Sequence, residues 1–139
     1  MAVHKLMSAY LLLVAVAVAV HFMVFPLYAY DSGGEIMDAA HNVWHVLDVL
    51  MAAGLVLMML TTWREKRRHE GDSSVDLRPW LRSNVMFYGT VLLALAFVPN
   101  WFEYAWGSNS KPIVWHVIDT ALPLMFAVEA HRLWRATSV

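Results

Sequence analysis

Histidine and aspartate, residue types able to ligate a metal or exchange a proton, stand three apart in a stretch that occurs twice. Val43-Trp44-His45-Val46-Leu47-Asp48 returns as Val114-Trp115-His116-Val117-Ile118-Asp119, 71 residues later. At the same offset Trp63-Arg64 falls on Trp134-Arg135. Self-similarity at a fixed offset is the signature of an internal duplication. In a helix, residues three apart share a face. Each His therefore projects with its Asp, and a twofold relation between the copies would gather His45, Asp48, His116 and Asp119 into one cluster. His41 sits one turn before His45 as a fifth ligand. Its counterpart is Pro112, so the symmetric set is two His and two Asp.

Imidazole and carboxylate suit zinc, copper, iron or manganese. Helix-borne pairs at this spacing hold metals in the cores of four-helix bundles, usually with Glu in place of Asp. A transition metal (copper, zinc or iron) is the cofactor this set calls for. Haem b needs two His on facing helices, which His45 and His116 supply, but it does not need the Asp and is the less favoured cofactor. A structural reading competes with both: each Asp accepts a hydrogen bond from a His, satisfying two polar groups in a packed interface without any metal.

Composition tells what must position these residues. Of 139 residues 60% are hydrophobic and 15% charged, against about 45–50% and about 25% in soluble domains. This is the composition of an all-α integral membrane protein. The absence of cysteine excludes disulfides and thiolate sites. The basic residues flank apolar runs and form no nucleic-acid-binding patch, so the bilayer and other membrane subunits are the expected partners.

Four apolar runs are long enough to span a bilayer, which takes about 20 residues. The first covers residues 6–28. Read alone it resembles a signal peptide, but it is long for one, and its end, Phe25-Pro26-Leu27-Tyr28, has a counterpart in Val98-Pro99-Asn100-Trp101. The second runs over about 34–62, started by a capping box of Ser32 and Glu35. A charged loop, 63–83, part of which can be helical on the membrane surface, separates it from the third at about 84–104. The fourth, at about 111–135, is capped by Asn109 or Ser110 with Pro112 in its first turn. The chain thus divides into a first two-helix repeat (1–62), the loop, and a second two-helix repeat (84–139). Pro99 and Pro123 should bend their helices.

Nine of the ten Lys and Arg, all but Lys111, fall at the termini and in the middle loop. Positive charge stays inside, which puts both termini and that loop in the cytoplasm of a cell (inner or plasma) membrane protein. Trp44, Trp101, Trp106 and Trp115 then mark the outer interface, and Trp63, Trp80 and Trp134 the inner one. Two copies inserted with one polarity are related by a pseudo-twofold along the membrane normal. The His/Asp cluster lies on the periplasmic or extracellular side, where Asp31, Glu35, Asp38 and Glu103 gather cations.

His21 reads as a buried, hydrogen-bonded histidine, and Glu129, His131 and Arg132 as interfacial ion pairs. The methionines, Met51, Met58 and Met59 among them, fit copper(I) handling but more simply fit packing. Gly54 allows a close helix crossing. No nucleophile–base pair or phosphate loop occurs, so catalysis by this chain alone is not expected. The reading is a small accessory or structural subunit of a larger membrane complex, with a metal-dependent oxidoreductase as one such complex. The alternative is an autonomous metal- or haem-binding protein that stores or delivers its cofactor. A small transporter is less favoured, because Val49 to Leu60 offers no polar residue.

Overall fold

The computed structural model describes residues 2–70 and 76–136. It is all-helical: α1 (Ala2–Tyr28), α2 (Asp38–Glu70), α3 (Leu77–Trp106) and α4 (Pro112–Arg135). All four are long and apolar enough to cross a membrane.

The helices are longer than the apolar runs alone indicate. α2 passes Thr62 and continues to Glu70, and α3 begins at Leu77 rather than at Asn84. The segment expected as a loop is therefore mostly helical; its Gly71–Val75 stretch, with Asp72, lies outside the described residues. The extension carries pairs one turn apart: Lys66 with Glu70, and His69 with Glu65 at 3.7 Å. Pairs at this spacing support an exposed helix without any apolar burial. At 33 residues, α2 is about 50 Å long, well beyond a hydrocarbon core of about 30 Å.

Two expected caps are replaced. α2 starts at Asp38, so Glu35 is outside the helix and the Ser32–Glu35 capping box does not form. Asp31 closes this turn instead, its Oδ1 accepting the Gly33 and Glu35 N–H groups at 2.8 and 2.9 Å, and Gly34 takes the positive φ of 82° the turn needs. At α4 the N-cap is Lys111, without a side-chain cap of its own. Asn100 of α3 does the work from across the turn. Its Oδ1 accepts the Lys111 N–H at 2.7 Å and its Nδ2 donates to the Lys111 carbonyl at 3.3 Å. A side chain from the preceding helix thus holds the residue at which α4 begins, in place of a local cap by Asn109 or Ser110.

α1 packs chiefly on α4 and α2 chiefly on α3, with smaller contacts within each hairpin and a narrow one between α2 and α4. The core is Leu11, Val18, Met51, Met58, Phe97, Leu122 and Phe126 with their neighbours. Met51 and Met58 are fully buried in it, as packing residues. Gly54 is what lets α2 and α4 meet: a Cβ there would lie 2.5 Å from the Phe126 ring.

Candidate functional site

Helix geometry explains why the Trp-His-x-x-Asp order matters. At about 100° per residue, the Asp lies about 40° round the helix from the Trp, and the His about 100° round on the same side. The Asp direction therefore falls between the other two. In the bundle Asp48 and Asp119 face the interior and are 1% and 5% exposed. The flanking residues turn to the helices on either side. Trp44 packs on α1, with His21 at 4.5 Å and Phe25 at 5.8 Å between ring centres. Trp115 packs on α3, with Phe97 and Tyr104 each at 5.8 Å. His45 faces α3, its ring 5.1 Å from Tyr104. His116 faces α1, its ring 5.7 Å from Phe22.

Each Trp thus seats on the helix of its own hairpin, and each His on a helix of the other. Trp44 and Trp115 are half-buried and serve as packing residues rather than as exposed belt tryptophans; Trp106 is 76% exposed.

This arrangement brings the two Asp together and turns the two His apart. Asp48 and Asp119 are near enough for their charges to interact, and His116 and Tyr104 are likewise near Asp119 and Asp48 respectively. Neither Asp forms the expected hydrogen bond with its own His. His116 Nδ1 donates to the Pro112 carbonyl at 2.7 Å, one turn back. His41 shares a 2.9 Å hydrogen bond with the Tyr104 hydroxyl and meets the His45 ring edge to face, with 4.8 Å between centres. Asp48 Oδ2 and Asp119 Oδ1 are buried with no hydrogen-bond partner, as is Trp115 Nε1. A buried polar atom without a partner is uncommon and calls for an explanation. Among the described residues no group of three or more His, Asp or Glu is placed to hold a metal ion. The acidic residues Asp31, Glu35, Asp38 and Glu103 are all exposed at this end.

One backbone oxygen of α4 is also affected. Pro123 lies within α4 and has no N–H, so the Asp119 carbonyl loses its helical donor. The α2 counterpart of Pro123 is Ala52, which keeps it.

Tyr104 and Trp115 escape sequence reasoning as members of the site. The available signal was Tyr104's place near the end of α3, level with the start of α4.

His21 is buried as expected, with Nδ1 2.9 Å from the Tyr28 hydroxyl and Nε2 without a partner. Glu129 departs from its expected interfacial place: it is fully buried. Thr61 Oγ1 donates to its Oε1 at 2.5 Å, and Arg132 grips both carboxylate oxygens at 2.9 and 2.6 Å. Glu65 meets Arg132 from α2 at 3.0 Å. His131 is exposed. The signal for this network was Thr61-Thr62 near the end of an apolar run, opposite Glu129 three residues before Arg132.

No protein-family model, curated protein or solved structure matches this chain.

Proposed function

We propose that this chain is a small accessory subunit of a larger membrane complex, and that it holds a cation between Asp48 and Asp119 at its outer end. The observation that carries the reading is the pair of buried carboxyls, each with an oxygen that no protein group satisfies. Unpaired charge costs about 2.5–3.5 kcal/mol per group at mid-membrane and less towards the surface, and a shared cation offsets it. The donors at hand are the two carboxylates, both of them oxygen ligands. Oxygen donors favour manganese or calcium over copper or zinc; copper, zinc or iron would need His45 or His41 to swing in. Haem b is disfavoured because His45 and His116 contact different neighbours.

The reading includes insertion with both termini inside and a pseudo-twofold along the membrane normal. Its support is the paired packing, α1 on α4 matching α3 on α2, and the matched burial of Leu47, Asp48, Met51, Leu55, Met58 and Thr62 with Ile118, Asp119, Leu122, Phe126, Glu129 and Leu133. The subunit role is supported by a wholly apolar groove of about 400 Å³ between α2 and α3, lined by Ala52, Val56, Ala94 and Val98 among others, where a partner helix fits. A transport path is disfavoured, because Met51, Leu55, Met58, Leu122 and Phe126 fill the core between the Asp pair and Glu129.

A second reading has its own observation. The divergence of the two His onto α3 and α1 makes the motif a packing device that sets helix spacing, with no ion. Metal analysis of protein purified without chelator, followed by manganese, calcium and zinc titration of the wild type and the Asp48→Asn/Asp119→Asn variant, decides between them. The cation reading requires binding that the double variant loses. No bound metal and no titratable site leaves the packing reading alone.

A further inference from the structure

At the end of the bundle opposite the Asp pair, a cavity of about 280 Å³ opens between the last turns of α2 and α4 and the first turns of α3. Its wall includes Arg78, Arg82, Arg132, His69, Glu65 and Glu129. Three arginines meet two glutamates there, but the charges are not evenly matched in space. Of these three arginines only Arg132 pairs with Glu129 and Glu65, and Glu65 also meets Arg68 and His69. None of the ion pairs among the described residues involves Arg78 or Arg82. The surplus positive charge therefore sits on these two, one turn apart on the wall that α3 contributes. Two further observations bear on what fills the space. His69 Nδ1 is buried without a hydrogen-bond partner. The α3 N-terminus has no side-chain cap at Asp76, leaving N–H groups and the positive end of the helix dipole beside the arginines.

We propose that this cavity binds a phosphate-bearing anion, held by Arg78 and Arg82, with His69 at its side. Guanidinium pairs match phosphate oxygens geometrically, and basic pockets between membrane helices take anionic headgroups. The half-exposed Trp80, in the same turn as Arg78, suits the headgroup level of a bilayer. A phospholipid headgroup and a soluble phosphate share this chemistry. The site lies at the far end of the bundle from Asp48 and Asp119 and stands whether or not a cation binds there.

The test uses the full chain in phosphatidylcholine nanodiscs, with phosphatidylglycerol or inorganic phosphate added and binding read by native mass spectrometry and by titration. Each basic residue near an anionic surface is worth a factor of about five, so Arg78→Gln/Arg82→Gln should weaken phosphatidylglycerol binding about 30-fold, and Arg78→Lys/Arg82→Lys should retain most of it. Glu65→Gln removes a competing negative charge and should tighten binding, which provides a test independent of the arginine variants' folding. Arginine-dependent binding of phosphatidylglycerol that inorganic phosphate does not displace identifies a lipid site. Arginine-dependent binding of inorganic phosphate itself identifies a soluble ligand at the same site. Binding of both probes unaltered in the glutamine pair, or no tightening in Glu65→Gln, overturns the proposal.

Discussion

Phe126 of α4 closes directly over Gly54 of α2, with 2.5 Å between its ring and the place a Cβ would occupy. This contact sets how near the two central helices come, and hence how near Asp48 comes to Asp119.

Gly54→Ala forces that ring aside. Overpacking of this kind costs about 1–3 kcal/mol, seen as a lower unfolding midpoint in detergent. Phe126→Leu should recover most of the loss in the double variant, because the two sites share one contact. A simple sum of the two single effects would show that the helices are held apart by something else.

Asp48→Asn/Asp119→Asn removes two buried carboxylates. Without added metal this variant should unfold at a higher temperature than the wild type, since an unpaired buried charge is destabilising. With manganese or calcium at a hundred times the dissociation constant, the wild type should gain about 2.7 kcal/mol and the variant nothing. Equal gains in both would place the cation elsewhere.

The two His separate packing from ligation. His45→Phe/His116→Phe keeps a ring of similar size against Tyr104 and Phe22. Contacts of packing type survive such a change at a cost below about 1.5 kcal/mol, with cation affinity unchanged. A large fall in affinity at unchanged stability would mean that the His reach the ion.

Glu129→Ala leaves Arg132 with only Glu65 and leaves the Thr61 hydroxyl with only the Met58 carbonyl, at 3.1 Å. Breaking a buried pair costs about 3–5 kcal/mol; the surviving Glu65 contact puts the expected loss at the low end. Denaturation in detergent measures it. Glu129→Gln keeps the Thr61 hydrogen bond and should fall between the variant and the wild type.

Hydropathy made the four helices legible, and the repeated hexapeptide made the burial of Asp48 and Asp119 legible, because an acid followed by a long apolar run has nowhere else to face. The His were harder. A spacing of three says that His45 and Asp48 share a side of the helix. It does not say that the Asp falls between the Trp and His directions, which follows only when all three are drawn together. That α2 and α3 run on into the charged segment was not legible, because charged residues lower hydropathy even where pairs such as Lys66 and Glu70 favour a helix. Asn100 and Tyr104 act across the α3–α4 turn, and local pattern carries no record of a partner so placed. Glu129 was misplaced because an acid three residues before an arginine reads as a surface pair unless Thr61, 68 residues away, is known to face it.

The alternation of Trp and His has a consequence for how such a bundle divides. Each hairpin offers a Trp to itself and a His to the other, so both complementary surfaces of the junction are encoded in each half. That is the condition for an isologous contact, in which one surface suffices for two partners. In a single chain the condition is redundant, and the two halves need not match everywhere. At the Glu129 end the halves differ: at the 71-residue offset Met58 corresponds to Glu129 and Thr61 to Arg132. The Glu129–Arg132–Thr61 contact is therefore one that two copies of either half could not make with each other.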